Sequence, residues 1–319
     1  MVSKVVAAVR LMRPPQWVKN VFVLAALVFG VRLNEPGAID AAMKAFAAFG
    51  IFCLLSSSVY ALNDLMDYRE DALHPTKKFR PVASGALSPT YAGIQSLVLG
   101  LAGIGLSLLL PRGFALTAMG YLLLNLFYSL FAKHKVLVDV ILISIGFVIR
   151  ALAGAQAIQV PVSAWLVVCT FTLCLFLGFG KRRCELAVLE AGGNAAQHRS
   201  TLSSYSLELL GNLLAVTGTM AVITFLLYTL DPNTPAPHSL VFTTPLVFYA
   251  VFRYAMVISQ GERTGPSEIL IHDRPFLITA ILWVVLTLAL VIFQDYGIED
   301  YLPQLRYPGT PATLKSVSP

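Results

Sequence analysis

The sequence predicts an all-α membrane protein that crosses the bilayer nine times. Hydrophobic residues make up 57% of the 319-residue chain and charged residues only 13%, whereas a soluble domain carries roughly 25% charged residues. The mean hydropathy is +0.74. Nine apolar runs reach the length that a membrane-spanning helix needs, and Lys and Arg are concentrated in alternate connecting segments.

The predicted spans account for most of the chain. Residues 1–15 are basic and amphipathic, and we expect them to lie on the membrane surface. Residues 16–295 then form one transmembrane catalytic domain, and 296–319 form a polar non-cytoplasmic tail. The short gap between the fourth and fifth runs predicts a tight helical hairpin. The nine runs lie near residues 17–31, 40–62, 89–110, 113–131, 136–157, 161–180, 208–230, 239–258 and 275–294.

The distribution of basic residues predicts the orientation. One set of alternate segments carries most of them, and by the positive-inside rule that set is cytoplasmic. The N-terminus is then cytoplasmic, the C-terminus is outside, and the protein belongs to the cell membrane. The opposite set holds only Arg32, Arg112, Arg306 and Lys315. The cytoplasmic set holds Lys4, Arg10, Arg13, Lys19, Arg69, Lys77, Lys78, Arg80, Lys133, Lys135, Lys181, Arg182, Arg183, Arg199, Arg253, Arg263 and Arg274.

Several function classes are disfavoured. The net charge of +6 is small, and the chain has no nucleic-acid-binding motif or basic tail, so we expect no nucleic-acid partner. The four cysteines lie in or beside apolar runs and form no CxxC pair, which argues against a disulfide framework or a zinc site. The oligomeric state is left open, a homo-oligomer included.

A stripe of carboxylate and amide side chains follows the second predicted span. If the helix continues, its residues turn about 100° each, and four of them fall on one face: Asn63, Asp64, Asp67 and Asp71. Such a stripe repels itself unless it holds a cation, and hard oxygen ligands suit Mg²⁺. The alternative is a solvated helix end whose acids share a face by chance. The trailing bases Lys77 and Arg80 favour a metal-bound pyrophosphate, whose remaining charge they would neutralise.

Two further charged clusters lie on the predicted cytoplasmic side. The first contains Tyr128, Lys133 and Lys135 and is followed by Asp139 and Arg150 within an apolar run. Ionisable groups at that depth normally face a cavity or a partner. An internal Asp139–Arg150 pair that only holds helices together is the alternative. About 16 Å of helix separates the two residues, so we expect each to have its own partner.

The second cluster is Lys181-Arg182-Arg183-Cys184-Glu185. Lys181 and Glu185 are four residues apart and should share a helix face. The cluster is either a positive-inside anchor or a phosphate site, and Lys181, Arg182 and Glu185 together favour the phosphate site. Lys19, at the entry to the first span, either reaches phosphate or anchors the helix at the membrane interface.

These motifs resemble those of a known enzyme family. Asn63-Asp64-x-x-Asp67-x-x-x-Asp71, followed by Arg80-Pro81 and Ser84-Gly85, resembles the first signature of the UbiA-type intramembrane prenyltransferases. The finer resemblance is to the decaprenyl-phosphate phosphoribosyltransferases. It rests on Gln16-Trp17-Val18-Lys19-Asn20, His74-Pro75-Thr76-Lys77, Lys133-His134, Gly180-Lys181-Arg182 with Glu185, and Arg253-Tyr254-Ala255.

The resemblance implies a UbiA-like bundle with a cytoplasmic active site and Mg²⁺ as cofactor. Aromatic prenyltransferases of the family carry a second acidic motif where this chain has Lys181–Glu185, which is mainly basic. One acidic and one basic pole suit phosphoribosyl pyrophosphate, which has a pyrophosphate for the metal and a separate 5-phosphate. We therefore expect transfer of 5-phosphoribose to a polyprenyl (decaprenyl) phosphate, a step in arabinan precursor synthesis for the cell envelope, with release of pyrophosphate.

The hypothesis assigns each charged side chain a role. Asp64, Asp67 and Asp71 are the catalytic carboxylates and hold the metal with Asn63. Two other functions remain open. A UbiA-type prenyltransferase would move a prenyl group from prenyl pyrophosphate to a small acceptor. A transporter would show internal repeats and Gly- or Pro-broken spans, which the sequence does not show clearly. The phosphate-binding candidates are Lys19, Lys77, Arg80, Tyr128, Lys135, Arg150, Lys181, Arg182 and Glu185.

Overall fold

The computed structural model describes residues 4–30, 37–74, 77–190, 204–231, 239–260 and 272–292, and also Leu202, Thr234 and Ile269. The predicted tail at 296–319 lies outside these residues. Within them the chain is helical and has no strand. Its α-helices are α1 (Lys4–Met12), α2 (Ala25–Gly30), α3 (Ala38–Leu73), α4 (Pro89–Ser107), α5 (Arg112–Phe127), α6 (Val138–Ile158), α7 (Ala164–Glu190), α8 (Leu207–Leu230), α9 (Thr244–Ser259) and α10 (Arg274–Ile292).

Eight helical segments of the described chain are long and apolar enough to cross a membrane. They are α3 to α10, with short non-α turns extending α5 to Ala132 and starting α9 at Ser239. They agree with eight of the nine predicted spans, and the protein is a multi-pass membrane protein. The gap between α5 and α6 comprises only residues 133–137, so the predicted tight hairpin is confirmed.

The first predicted span is built differently from the other eight. Residues Pro14–Leu24 form a 3-10 helix, and α2 continues it for only six residues. The two prolines at its start lack N–H groups and set φ near the value that a 3-10 helix uses. Because a 3-10 helix has three residues per turn, Trp17, Asn20 and Val23 line up on one face.

That face packs into the bundle through specific contacts. The Trp17 indole N–H donates to Ser57 Oγ at 3.1 Å, and Asn20 donates to Ser56 Oγ at 3.1 Å. A Cβ on Gly154 of α6 would collide with the Val23 carbonyl oxygen, so glycine is what allows this close approach. The 3-10 segment is therefore wedged between α3 and α6.

Helix α3 is the longest element and carries the predicted acidic stripe beyond its apolar part. Its 36 residues span about 54 Å at 1.5 Å per residue, well over the ~30 Å of a bilayer's hydrocarbon core. The helix ends at Leu73, shortly before Pro75, as expected before a proline. Its continuity through Asp71 confirms that the predicted stripe occupies one helical segment.

The remaining helices surround this frame in chain order. Neighbours α3–α4, α5–α6, α6–α7 and α7–α8 pack along their lengths, and α10 packs on α9 and also touches α2. One buried core joins the 3-10 segment, α3, α5 and α6, and a second joins α7, α8 and α9. Exposed apolar side chains such as Leu101, Leu116 and Val285 face outward, where a bilayer provides an apolar environment.

Helix α1 lies beside α3 and α4 at the base of the stripe. Its Ala7 and Leu11 are buried with Ala61 and Leu87, and the Gln95 side chain of α4 donates to the Ala8 carbonyl at 3.0 Å. The valines on its other face are exposed, which fits the predicted interfacial position. Arg13 follows in the left-handed region, at φ 54°, and turns the chain into the 3-10 segment.

Candidate active site

The acidic stripe, which we define as Asn63, Asp64, Asp67 and Asp71, is paired with cations from three other segments. Asp64 is almost fully buried, at 1% exposure, and forms an ion pair with Arg13. Arg80 bridges Asp64 at 3.5 Å and Asp71 at 2.5 Å. The Arg13 guanidinium also lies over the Tyr60 ring, 5.0 Å from its centroid. One connected cluster therefore joins two carboxylates and two arginines.

The middle of the stripe contacts the end of α5. Lys133 Nζ lies 2.5 Å from Asp67 Oδ1, and Ser129 Oγ donates to Asn63 Oδ1 at 2.6 Å. Both partners belong to the short π-helical turn Tyr128–Ala132 and the residue that follows it. A π turn inserts one residue into a helix and is frequent at functional sites. It aims Ser129 and Lys133 at the stripe.

The stripe has the donor set for a divalent cation. No group of three or more His, Cys, Asp and Glu side chains is assembled as a metal cage in the described chain. Mg²⁺ does not require one, because it is usually held by one or two carboxylates together with substrate phosphate oxygens. The buried Asp64 Oδ2 has no hydrogen-bond partner among the described residues. An oxygen of this kind, on the same helix face as two further carboxylates and an amide oxygen, fits a metal–pyrophosphate complex.

A second group of charges, the basic pole, lies where the 3-10 segment meets α6 and α7. It consists of Arg13, Lys19, Arg150 and Lys181, and the charges of the other three act on the Lys19 ammonium. The four positive charges disfavour one another, so the pole favours a polyanion. Because Arg13 also pairs with Asp64, the basic pole and the acidic stripe are adjacent.

Arg150 is held rigidly within this pole. Its Nε donates to Asn20 Oδ1 at 3.0 Å, its Nη1 to the Gly146 carbonyl at 3.0 Å and its Nη2 to Tyr121 Oη at 2.8 Å. The guanidinium lies 4.7 Å from the Tyr121 ring centroid. All these partners are neutral, and within the described ranges no carboxylate pairs with the buried Arg150 guanidinium. Arg150 has partners separate from those of Asp139, as the sequence predicts.

Asp139 and Arg182 form the centre of a buried triad with Glu185. Arg182 Nη2 lies 2.9 Å from Asp139 Oδ2, and its Nη1 lies 2.5 Å from Glu185 Oε2. Asp139 is 0% exposed and Arg182 3%. Lys181 is also 3.8 Å from Glu185, which confirms their shared helix face. The triad ties the end of α7 to the start of α6 and leaves Lys181 on the side of Lys19.

Comparison with known proteins agrees with this geometry. Residues 22–183, which include the stripe and two members of the triad, Asp139 and Arg182, match the UbiA prenyltransferase family. The chain belongs to this family. A UbiA homolog from Archaeoglobus fulgidus, solved bound to DMAPP and Mg2+, superposes with a TM-score of 0.69 at 19% identity, over 89% of this chain and 98% of that one. The UbiA fold and a membrane-embedded transferase follow from these matches.

Two UbiA-family relatives carry a more specific name. Decaprenyl-phosphate phosphoribosyltransferase of Mycolicibacterium smegmatis is 33% identical over 289 residues, covering 86% of this chain and 89% of the relative. The enzyme of the same name from Mycobacterium tuberculosis is 32% identical over 293 residues, covering 91% and 95%. Both matches extend over most of this chain and most of the relative.

In this chain, the other predicted phosphate ligands lie at the edge of the site. They are Lys77, Lys135 and Tyr128. Lys77 starts the short 3-10 turn Lys77–Phe79 after α3, and its backbone N–H donates to His74 Nδ1 at 3.4 Å. Lys135 is exposed in the α5–α6 turn. Tyr128 interacts electrostatically with Arg182. In the same turn, the Leu137 amide donates to Tyr205 Oη at 2.7 Å, and burial raises the pKa of that phenol.

The structure favours a structural role for Arg182 over the predicted phosphate contact. The charge of Arg182 is met by two carboxylates and its side chain is enclosed by protein, so it is a poor candidate for a phosphate ligand in this arrangement. Asp139 has Arg182 as its own partner, as the sequence predicts. Asp139 and Arg182 hold α6 and α7 together. This agrees with the alternative of a purely structural role for Asp139, with Arg182 as its partner in place of Arg150.

The candidate site also includes residues that the sequence hypothesis leaves out. Arg13 and Lys133 make direct ion pairs with the stripe, and Asn20 and Tyr121 hold Arg150. Two of these residues could have been found from their positions in the sequence. Arg13 directly precedes Pro14-Pro15, and Lys133 lies two residues before the predicted Lys135. Asn20 and Tyr121 are marked only by being polar within apolar runs.

Proposed function

We propose that the chain transfers 5-phosphoribose from phosphoribosyl pyrophosphate to the phosphate of a polyprenyl phosphate, releasing pyrophosphate. Two relatives that match over most of the chain are named decaprenyl-phosphate phosphoribosyltransferase, which supports this assignment. A decaprenyl chain is therefore the proposed lipid, and arabinan precursor synthesis for the cell envelope is the proposed context.

One observation carries the proposal beyond the family: the acidic stripe and the basic pole share Arg13. A prenyl pyrophosphate has a single charged group, for which a stripe with its own cations suffices. Phosphoribosyl pyrophosphate has two separate phosphate groups, and the lipid acceptor brings a third. The basic pole supplies the additional positive charge that these groups need.

The site residues divide the work by position. Arg13, Arg80 and Lys133 pair with carboxylates in this structure, and we propose that they turn to the pyrophosphate oxygens when the donor binds. Lys19 and Lys181 face the remaining phosphates, and Lys77 and Lys135 add charge at the rim. Arg150 acts through its fixed charge, because a hydrogen bond from each of its three nitrogens holds the guanidinium in place. The buried triad positions Lys181.

Asn63, Asp64, Asp67 and Asp71 would hold Mg²⁺ with the pyrophosphate, and the ion would offset the charge that develops on the leaving group. In the reaction, the bond from ribose C1 to the pyrophosphate oxygen breaks and its electron pair leaves with the pyrophosphate. An oxygen of the lipid phosphate forms the new bond to C1. That phosphate is already ionised, so no general base is required, and catalysis consists of positioning and electrostatic stabilisation.

The proposed topology brings the substrates to the site from opposite directions. We propose nine crossings, the 3-10 segment with α2 being the first, with the N-terminus in the cytoplasm of a cell membrane. The concentration of Lys and Arg in alternate segments supports this orientation. The soluble donor then reaches the stripe from the cytoplasm, while the polyprenyl chain stays in the bilayer.

A substrate-exchange assay in proteoliposomes tests the function. The purified chain receives Mg²⁺ and either phosphoribosyl pyrophosphate or a prenyl pyrophosphate, each with and without decaprenyl phosphate. We expect pyrophosphate release and a phosphoribosylated lipid only with phosphoribosyl pyrophosphate and decaprenyl phosphate together. Turnover of the prenyl pyrophosphate instead would establish the prenyltransferase alternative. Movement of either substrate across the bilayer without chemical change would identify a transporter.

A further inference from the structure

A groove lies on the far side of α7 from the candidate active site. It encloses a volume of about 510 Å³ between α7, α8 and α9. Residues Arg183 and Ser259 lie at one end of the groove, and Leu226 and Phe248 lie towards the other. Most of its lining belongs to α8 and α9, which lie beyond the residues that match the UbiA family. The groove therefore lies mostly outside the matched residues, with Phe176 and Arg183 of α7 within them.

The groove is apolar and open to the bilayer. Along α8, Gly211, Ala215 and Gly218 lie on its floor, and their spacing of four and three residues places them on one helix face. Nothing lies within 4 Å of the position that a Cβ on Gly211 would occupy. The rim side chain Phe252 is 65% exposed. From Gly211 to Leu226 the floor runs for about 22 Å, a length suited to an extended hydrocarbon chain.

A single cation marks one end of this apolar groove. The Arg183 guanidinium makes one hydrogen bond within the described chain, from Nη1 to the Ile258 carbonyl at 3.3 Å. Its other N–H groups remain available to a ligand. Arg183 belongs to the predicted cytoplasmic set of basic residues, which is the set expected near lipid headgroups.

Arg183 is separated from the active site by the geometry of α7. Successive residues point about 100° apart: Arg182 meets Asp139 of α6, and Arg183 meets the end of α9. Lys181, two residues before Arg183, is about 160° away from it and faces Lys19. A molecule bound at Arg183 would therefore contact neither the stripe nor the basic pole.

We propose that the α7–α9 groove binds an anionic phospholipid, with one acyl chain along α8 and the phosphate on Arg183. Charge complementarity selects an anion at the mouth, and the apolar floor selects a hydrocarbon chain behind it. The small residues let the chain approach the α8 backbone. This site is independent of the proposed reaction, and its test needs no catalytic readout.

Native mass spectrometry of the full chain tests the proposal. The protein is released from detergent with equal amounts of phosphatidylglycerol and phosphatidylcholine that have the same acyl chains. We expect one additional phosphatidylglycerol to be retained by the wild type. Arg183→Gln should lower the ratio of retained anionic to zwitterionic lipid about fivefold, since one basic side chain near a membrane surface contributes about 1 kcal/mol. Arg183→Lys should keep most of the preference.

Two control variants distinguish lipid binding in the groove from nonspecific attraction of anionic lipid to positive charge. Arg274→Gln removes an exposed arginine on the same predicted face, away from the groove, and should leave the ratio unchanged. Gly211→Leu fills the floor and should lower retention of the lipid while Arg183 is intact. Equal retention of both lipids by the wild type, or an unchanged ratio in Arg183→Gln, would overturn the proposal. So would a wild-type oligomer that Gly211→Leu dissociates with no change in bound lipid, which would make the groove a contact between copies.

Discussion

The acidic stripe and the buried triad are both networks of carboxylates and basic side chains, yet they differ in access. In the stripe, the basic partners Arg13, Arg80 and Lys133 keep between 20% and 27% of their side-chain surface exposed. In the triad, the Arg182 side chain is 4% exposed and that of Asp139 is 0%. Cations of the stripe can leave their carboxylates for a ligand, whereas the Arg182 guanidinium is enclosed.

This difference separates exchangeable charge from fixed charge. The partly exposed Lys133–Asp67 pair contributes little to stability, so replacing it with a ligand contact costs little. Arg13 and Arg80 pair with the buried Asp64 and Asp71, so we infer that a bound cation compensates these carboxylates when the arginines turn to the ligand. A buried pair has already lost its hydration, and removing one partner leaves an uncompensated charge in an apolar surrounding. We infer that the stripe handles substrate and that the triad and Arg150 hold the helices that present it.

The largest expected change in the free energy of unfolding follows from removing a fixed charge of the buried triad. Arg182→Met should lower the free energy of unfolding by about 3–5 kcal/mol, because it removes the arginine that compensates the buried Asp139 carboxylate. The double variant Asp139→Asn/Arg182→Met removes both buried charges and should recover much of that loss. Denaturant-induced unfolding in detergent micelles measures both. If Arg182→Met is as stable as the wild type, the triad is not structural, and a phosphate-binding role for Arg182 regains support.

The next effect concerns the exchangeable charges. Asp67→Asn should reduce pyrophosphate release about 10²–10³-fold, the size expected when a group that stabilises transition-state charge is removed. Its unfolding free energy should change little, since Asp67 and Lys133 are both partly exposed. The matched control is Glu70→Gln, which removes one negative charge from an exposed side chain of the same helix. This variant should remain active. If Asp67→Asn releases pyrophosphate at nearly the wild-type rate, the assignment of Asp67 as a Mg²⁺ ligand is wrong.

The sequence was sufficient to predict the stripe because the relevant spacing is local. Asn63, Asp64, Asp67 and Asp71 share a face in any continuous helix, and hydropathy located eight helices that the structure contains. The partners of the stripe were harder to predict, since Arg13 lies 51 residues from Asp64, and Lys133 lies 66 residues from Asp67. Such contacts depend on how helices pack, and a residue's own neighbours in the sequence do not encode that.

Two other features show where sequence patterns lose resolution. Lys181, Arg182 and Arg183 are consecutive bases, and a count of positive charge treats them alike. Helical rotation sends them to the basic pole, the buried triad and the α7–α9 groove, respectively. Hydropathy also cannot distinguish a 3-10 helix from an α-helix in the first segment, although only three residues per turn align Trp17 with Asn20.

A smaller effect should follow from loosening Arg150. Tyr121→Phe removes the acceptor of its Nη2 hydrogen bond and should lower stability by about 1.5–3 kcal/mol, the range for hydrogen bonds to charged groups. Tyr254→Phe is the matched control, because that buried hydroxyl donates to the neutral Leu177 carbonyl and should contribute only about 0.5–1.5 kcal/mol. Thermal and denaturant unfolding measure both variants. Equal losses would mean that Arg150 is no more firmly fixed than a neutral contact.

The smallest stability effect is expected at Lys133. Lys133→Gln should change the free energy of unfolding by less than about 1 kcal/mol, because it breaks a partly exposed ion pair. If the same ammonium turns to the pyrophosphate, KM for phosphoribosyl pyrophosphate should rise about tenfold, the low end for a charged hydrogen bond. Lys133→Arg keeps the charge and should retain most of the affinity. An unchanged KM in Lys133→Gln would show that Lys133 only holds Asp67, and would move it from the exchangeable to the structural charges.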